Sequence, residues 1–274
     1  PPIVTQHLVS LGIEMIPTFE ETAYWFAKAL KGGITVATSD TTVKTRTYSP
    51  TVASDNLKTA SIEVVTDTQA YVTNFCVVNR CSFGWELGGP ATMQVDILGQ
   101  QWVAATKTAS LTTISSEEIN PAATIAFIDT ATIGATAALS VQSFNWTVEN
   151  GFVPLFAPDG NNYPSNFYRG ETRSMTTSMV ADFSSTTEFA AFAATTARKI
   201  RTKVVGSAIA GSASGVRHIQ TDWYGYHDEA PFVTADGKTQ VRFTSESVYD
   251  STATYDWAVS TATALAAVTA VGES

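Results

Sequence analysis

The chain has 274 residues, 44% of them hydrophobic and only 15% charged, a composition that excludes a disordered acidic tail. Sixteen Lys and Arg stand against 25 Asp and Glu, a net charge of −9. Neither half is basic, which argues against a surface that tracks nucleic-acid phosphates.

The first strand-like stretch carries Leu11, Ile13 and Met15 in alternation. It leads to a helix predicted over Phe19–Lys31, with Phe19, Ala23, Phe26, Ala27 and Leu30 on one face and Gly32-Gly33 as the stop. Ile34–Lys58 reads as a long polar loop, expected to reach a neighbouring subunit because it is too polar to pack in its own domain. Strands follow at Ser61–Val65, Ala70–Val78, Ser82–Leu87, Thr92–Leu98, Thr124–Ile128, Leu139–Glu149 and Ser174–Phe183. A second helix is predicted over Thr186–Ala197, with Phe189, Phe192, Ala193 and Ala197 on one face. The last strands are Lys199–Val205, Arg217–Tyr226, Thr239–Tyr249 and Thr254–Val259. Turn chemistry lies at Gly88-Gly89-Pro90, Asn150-Gly151, Asp159-Gly160 and Asp236-Gly237.

No run of about 18 apolar residues occurs, and no charged segment precedes an apolar one, so neither a membrane span nor a signal peptide is expected. The sequence lacks an initiating Met, and translation is expected to start upstream of Pro1.

Each helix opens with a capping-box pattern, Thr18-x-x-Glu21 and Ser185-x-x-Glu188, and the two patterns are 167 residues apart. The same shift carries the hairpin region Cys76–Leu98 onto Phe243–Leu265. This predicts an internal duplication, with one tandem β domain over residues 1–112 and another over 113–274. The strand Leu139–Glu149 would then have its counterpart before Pro1, leaving the first copy a strand short.

Residues that could carry chemistry form no constellation. Gly211-Ser212-Ala213-Ser214-Gly215 has Ala where a nucleophile would sit, and neither a P-loop nor a dinucleotide fingerprint follows a strand. Cys76 and Cys81, five apart on a strand, should point to opposite faces, so they read as buried free thiols and not as a disulfide or zinc pair. His218 and His227 should lie on opposite faces of one strand, as surface or interface residues. The acid pairs Glu20-Glu21, Glu117-Glu118 and Asp228-Glu229 are adjacent, whereas glycosidase carboxylates face each other across a cleft. Glu21 suits a capping box and Glu20 the helix dipole. Trp85, Trp102, Trp146, Trp223 and Trp257 could form sugar platforms, but Phe83, Trp85 and Leu87 alternate, as do Phe144, Trp146 and Val148, which is a core pattern. The expected sets of catalytic, cofactor-binding and metal-binding residues are therefore empty.

The succession of "TFEETAYWFAKALKGG" (Thr18–Gly33), "YVTNFCVVNRCSFGWELGGPATMQVDILGQQ" (Tyr71–Gln101), "AFIDTATIGATAALSVQSFNWTVENGFVPLF" (Ala126–Phe156) and "RFTSESVYDSTATYDWAV" (Arg242–Val259) resembles the tail tube (major tail) proteins of long, flexible-tailed phages. The likeness is closest to the type with two tube domains per chain, and the "ID…IG" stretch leading to "SFNWTVENG" is its most specific part. The resemblance implies a mainly β fold with two short helices, built as tandem β-sandwich or partial-barrel tail-tube domains, each flanked by an α-helix. It implies a virion tail protein, made in the host cytoplasm, with no enzymatic activity and no cofactor. Its partners would be other copies of itself in stacked, trimeric, pseudo-hexameric rings, together with tape measure, tail terminator and distal tail proteins. DNA would pass through without specific binding, and no membrane would be involved. The rival reading is a cell-surface β-sandwich that binds carbohydrate; an enzyme ranks third.

Overall fold

The computed structural model describes residues 6–30, 35–38, 42–50, 58–109, 117–136, 141–183, 186–235 and 237–265. The fold is mainly β with two short helices, as expected from the sequence.

Strand β1 (Val9–Met15) leads into α1 (Phe19–Ala29). The predicted capping box is present: Thr18 Oγ1 accepts from Glu21 N at 3.3 Å, and the Glu21 carboxylate accepts from Thr18 N at 3.1 Å. The helix stops early, because Leu30 turns to extended backbone; Gly32-Gly33 lies outside the described residues. Next come β2 (Thr35–Thr38) and β3 (Lys44–Tyr48), a hairpin within the predicted polar loop. β4 (Ala60–Val65), β5 (Ala70–Glu86), β6 (Thr92–Gly99) and β7 (Trp102–Ala105) follow. A 3₁₀ turn at Pro121–Ala123 enters β8 (Thr124–Asp129). Then come β9 (Val141–Glu149), β10 (Phe152–Leu155), β11 (Asn166–Arg169), β12 (Ser174–Asp182) and α2 (Thr187–Ala193). The chain ends in β13 (Arg198–Ala208), β14 (Val216–Glu229), β15 (Phe232–Ala235), β16 (Lys238–Ser247) and β17 (Trp257–Thr263).

Fifteen strands join in one sheet, whose main path runs β1-β6-β5-β9-β12-β16-β14-β17-β3-β2; β10 and β11 pair separately. The pairing β1–β6–β5 recurs as β12–β16–β14. In each set a helix follows the first strand. Likewise β4 and β7 flank the amino-terminal half of β5, as β13 and β17 flank that of β14. The 167-residue shift holds for strand and helix but not for the hairpin. Ala70 to Val216 and Thr92 to Lys238 are each 146 residues apart, so Cys76–Leu98 corresponds to the β14–β16 region and not to Phe243–Leu265. The shortfall arises between α1 and β4, where the β2–β3 hairpin has no counterpart between α2 and β13.

That hairpin corrects the expectation for Ile34–Lys58. β3 adds to β17 of its own chain, and Tyr48 and Arg46 are buried there. Tyr48 Oη donates to Ala23 O of α1. Burial pushes the Tyr48 phenol up to about 12.

The predicted second capping box cannot be placed, because Ser185 lies outside the described residues; the residue before α2 is Thr186, which makes no side-chain cap bond. Glu188 is drawn to Arg198, whose Nε stands 3.0 Å away. The helix ends at Ala193, and Thr195 has φ +50.

One core cluster spans both halves of the chain. Phe26 of α1 meets Tyr48 at 6.2 Å, Phe83 of β5 at 6.1 Å and Trp146 of β9 at 5.4 Å between ring centroids. Such ring pairs contribute about 0.5–1.5 kcal/mol each beyond buried area. Cys76 and Cys81 both belong to this cluster, against the expectation of opposite faces. The reason is a bulge: Val78 pairs with Ile97 and Arg80 with Asp96, so Asn79 is an extra residue that inverts the alternation. The two predicted strands Ala70–Val78 and Ser82–Leu87 are thus one bent strand.

The bulge has a partner. Asn79 O accepts from Asn150 N, and its Oδ1 accepts from Phe152 N. The buried Asn150 side chain donates to Ala29 O at 2.7 Å and Val78 O at 2.9 Å, and accepts from Arg173 Nε at 2.8 Å. One amide therefore ties the end of α1, the bulge and the β9–β10 turn. Gly151 permits that turn with φ +64, where a Cβ would meet Glu171 O at 2.9 Å.

Replacing Asn150 with Ala should cost about 3 kcal/mol, because it strands several buried polar groups; a denaturant melt checks this. Thr18→Ala should cost about 1 kcal/mol, while Thr186→Ala, which removes no cap bond, should leave the melt unchanged.

Candidate functional site

The aromatic residues that could have formed a sugar platform are in the core. Trp85, Trp146, Trp223 and Trp257 are each at most 5% exposed, whereas Trp102 is 40% exposed. His218 and His227 do lie on opposite faces of β14. His227 is fully buried, which corrects its reading as a surface or interface residue. Its Nδ1 lies 2.9 Å from Ser245 Oγ, its Nε2 lies 3.5 Å from Glu188, and its ring stacks near Phe243. It falls in register with the inward Ile219, Thr221 and Trp223 of the same strand. His218 is half-buried; burial and the Lys203 charge lower its pKa from 6.5 to about 4.

Four of the six paired acids hold the framework through their carboxylates. Glu21 caps α1, and Glu20, in the first helical turn, meets Arg217 Nε of β14 at 2.9 Å. The Glu117 carboxylate accepts from Ser207 N through both oxygens, and Asp228 accepts from Glu246 N; Glu118 forms a backbone bridge with Thr18. Burial raises both cysteine pKa values, which keeps the thiols protonated. Among the described residues no group of three or more His, Cys, Asp and Glu is placed to hold a metal ion. No described helix is long and apolar enough to cross a membrane.

The "ID…IG" stretch forms a closed loop. The buried Asp129 carboxylate accepts from Gly134 N at 2.8 Å, Ala135 N at 3.1 Å and Thr136 N at 2.9 Å. Beside this loop Arg201 grips Asp222 through two 2.7 Å bonds. Three more basic side chains of β13 and β14 meet a carboxylate: Arg198 meets Glu188, Lys199 meets Asp250 and Arg217 meets Glu20.

The surface carries features that a closed monomer would not need. α1 buries seven of its residues, but α2 buries only Ala191. Around α2, Phe183, Phe189, Phe192 and Phe232 form a ring-on-ring patch in which Phe232 is 55% exposed. Sequence periodicity placed Phe189 and Phe192 on one face, but it did not show that this face lacks a full cover. β7 exposes Trp102 and Val103 on its two faces, and the exposed Tyr71 of β5 shares the face of Trp102. Among the described strands β1, β4, β7 and β15 each have one hydrogen-bonded neighbour. Contiguous exposed apolar patches and open strand edges mark contact surfaces.

The class these features define is a structural β-protein whose surfaces are made for contact with other chains. The chain belongs to the phage tail tube protein family, whose model matches residues 1–259. It is a component of the virion tail with a structural role in the tail tube. Membership in that family implies self-assembly and association with other tail proteins. A comparison with curated proteins returned no match.

His218 gives this fold a pH dependence. The folded state resists protonation down to about pH 4, whereas an unfolded histidine takes its proton near 6.5. The stability held by the neutral ring is complete above pH 6.5 and is lost as pH falls toward 4. His218→Gln should flatten that part of a stability-versus-pH curve.

Proposed function

We propose that the chain polymerises into stacked rings that form the conduit for DNA ejection, without enzymatic activity. Each chain supplies two related tube units, residues 1–112 and 113–274, and three chains complete a ring with pseudo-six-fold symmetry. The observation that carries this reading is the repeated pairing β1–β6–β5 and β12–β16–β14, each with its helix, within one continuous sheet. Closing such a sheet around an axis removes the open edges that otherwise invite aggregation. Within a tail, the ends of the tube would meet tail terminator and distal tail proteins, and its bore would hold a tape measure protein.

The charge distribution supports a conduit. DNA carries about one negative charge per 1.7 Å of axis, so free lumenal Lys or Arg would hold it back. The chain has an acidic excess of nine, and Arg198, Lys199, Arg201 and Arg217 each meet a carboxylate within 3.0 Å. Screening limits the repulsion from an acidic wall to roughly 8–10 Å, enough to centre DNA without blocking it.

Electron microscopy of the purified protein tests the reading. Rings or tubes are expected. Monodisperse monomers that bind glycans would establish the carbohydrate-binding alternative, which the burial of Trp85, Trp146, Trp223 and Trp257 disfavours.

A further inference from the structure

The two related units differ in what covers them, and the differences are complementary. Within the chain, α1 of the first unit lies across to the second. It packs on β14 and β17 as well as on its own β5. Glu20 pairs there with Arg217, Tyr48 bonds to Ala23 O, and Phe19 lies so close to Gly206 of β13 that a Cβ would meet its ring at 2.5 Å. The surface that receives α1 is sealed: Trp223, Trp257 and Val259 are fully buried, and β3 closes the outer edge of β17.

The counterparts in the other unit are open. β7 stands to β5 as β17 stands to β14, and by the 146-residue shift Trp102, opposite Thr73, corresponds to Thr261, opposite Ile219. Thr261 is 0% exposed and Trp102 is 40% exposed. β7 has neither a helix over it nor a described strand on its outer edge. α2, the counterpart of α1, packs on its own β14, yet leaves Phe189 and Phe192 half-covered. The first strands show the same asymmetry. β12, held between β9 and β16, buries Met175 and Met179, whereas β1, which among the described strands pairs with β6 alone, leaves Leu11, Ile13 and Met15 half-buried. A helix with nothing to cross onto and a strand pair with nothing crossing it are the two sides of one contact.

We propose that the aromatic patch on α2 and β15 of one copy seats against β5 and β7 of a second copy, as α1 seats against β14 and β17 within the chain. The occupant is another copy of this chain because the surface it presents is the open equivalent of one already filled inside the molecule. The contact is head-to-tail, since two different surfaces meet, so repeating it generates a ring or an open filament and not a closed dimer. This inference rests on the tube reading and assigns the seam between its subunits.

The test mixes two full-length variants, Phe189→Cys and Trp102→Cys, with a short bis-maleimide, while electron microscopy monitors ring formation. Native Cys76 and Cys81 are buried, so the expected product is a covalent pair in the mixture and none with either variant alone. Phe232→Asp, an exposed change that should leave the melting temperature intact, should raise the concentration needed for assembly about 10-fold or more. Rings without the mixed product, or Phe232→Asp assembling normally, would overturn the seam and leave the tube reading standing. Mixed product without rings would uphold the seam and overturn the tube. Neither product nor rings would overturn both.

Discussion

Strand β9 (Val141–Glu149) has a hydrogen-bonded neighbour on each side, β5 from the first unit and β12 from the second, and the rest of the structure depends on that bridge. It makes one sheet out of two related sets of strands. It also supplies Trp146, which sits beside both Phe83 and Phe26. With that ring in place α1 can bury its apolar face across the junction, and the core becomes continuous between the halves. The turn after β9 is locked in turn by Asn150, which binds the end of α1 and the bulge in β5. Removing β9 would open two sheet edges and uncover the helix at once.

The same constraint explains where the molecule is unfinished. A strand edge must be paired, covered or otherwise protected. Inside the chain β9 and β3 fulfil that requirement for β5, β12 and β17. At β1, β7 and β15 no described strand does so. The exposed phenylalanines beside β15 and the exposed Trp102 on β7 lie where the internal junction places buried residues. A subunit that assembles with copies of itself has to hold part of its apolar surface in reserve, to be covered when the next copy arrives. The low charged fraction of 15% is in keeping with that reserve.

Much of the architecture was legible in the sequence because it is local. Period-two alternation in Thr92–Gly99 and Ser174–Asp182, and the Thr18–Glu21 box, depend on residues within a few positions of each other. What was not legible depends on distant partners. Lys44–Tyr48 looked like a polar loop because its burial is set by β17, far along the chain. Asn79 fell between the predicted strands Ala70–Val78 and Ser82–Leu87, yet as a bulge within one strand it brings Cys76 and Cys81 into one core. Glu188 looked like a residue of the first turn of α2, yet its carboxylate also meets Arg198 and His227 from distant strands. The contact surfaces were not legible either: exposure of Phe232 and Trp102 follows from what fails to cover them.

The most direct test of the account is a three-dimensional reconstruction of the assembled tube, at a resolution that separates helices. The account predicts three chains per ring, with α1 and α2 alternating in equivalent places one sixth of a turn apart, each crossing onto the neighbouring unit. A ring of six chains, or an α2 that faces solvent instead of the next subunit, would contradict it.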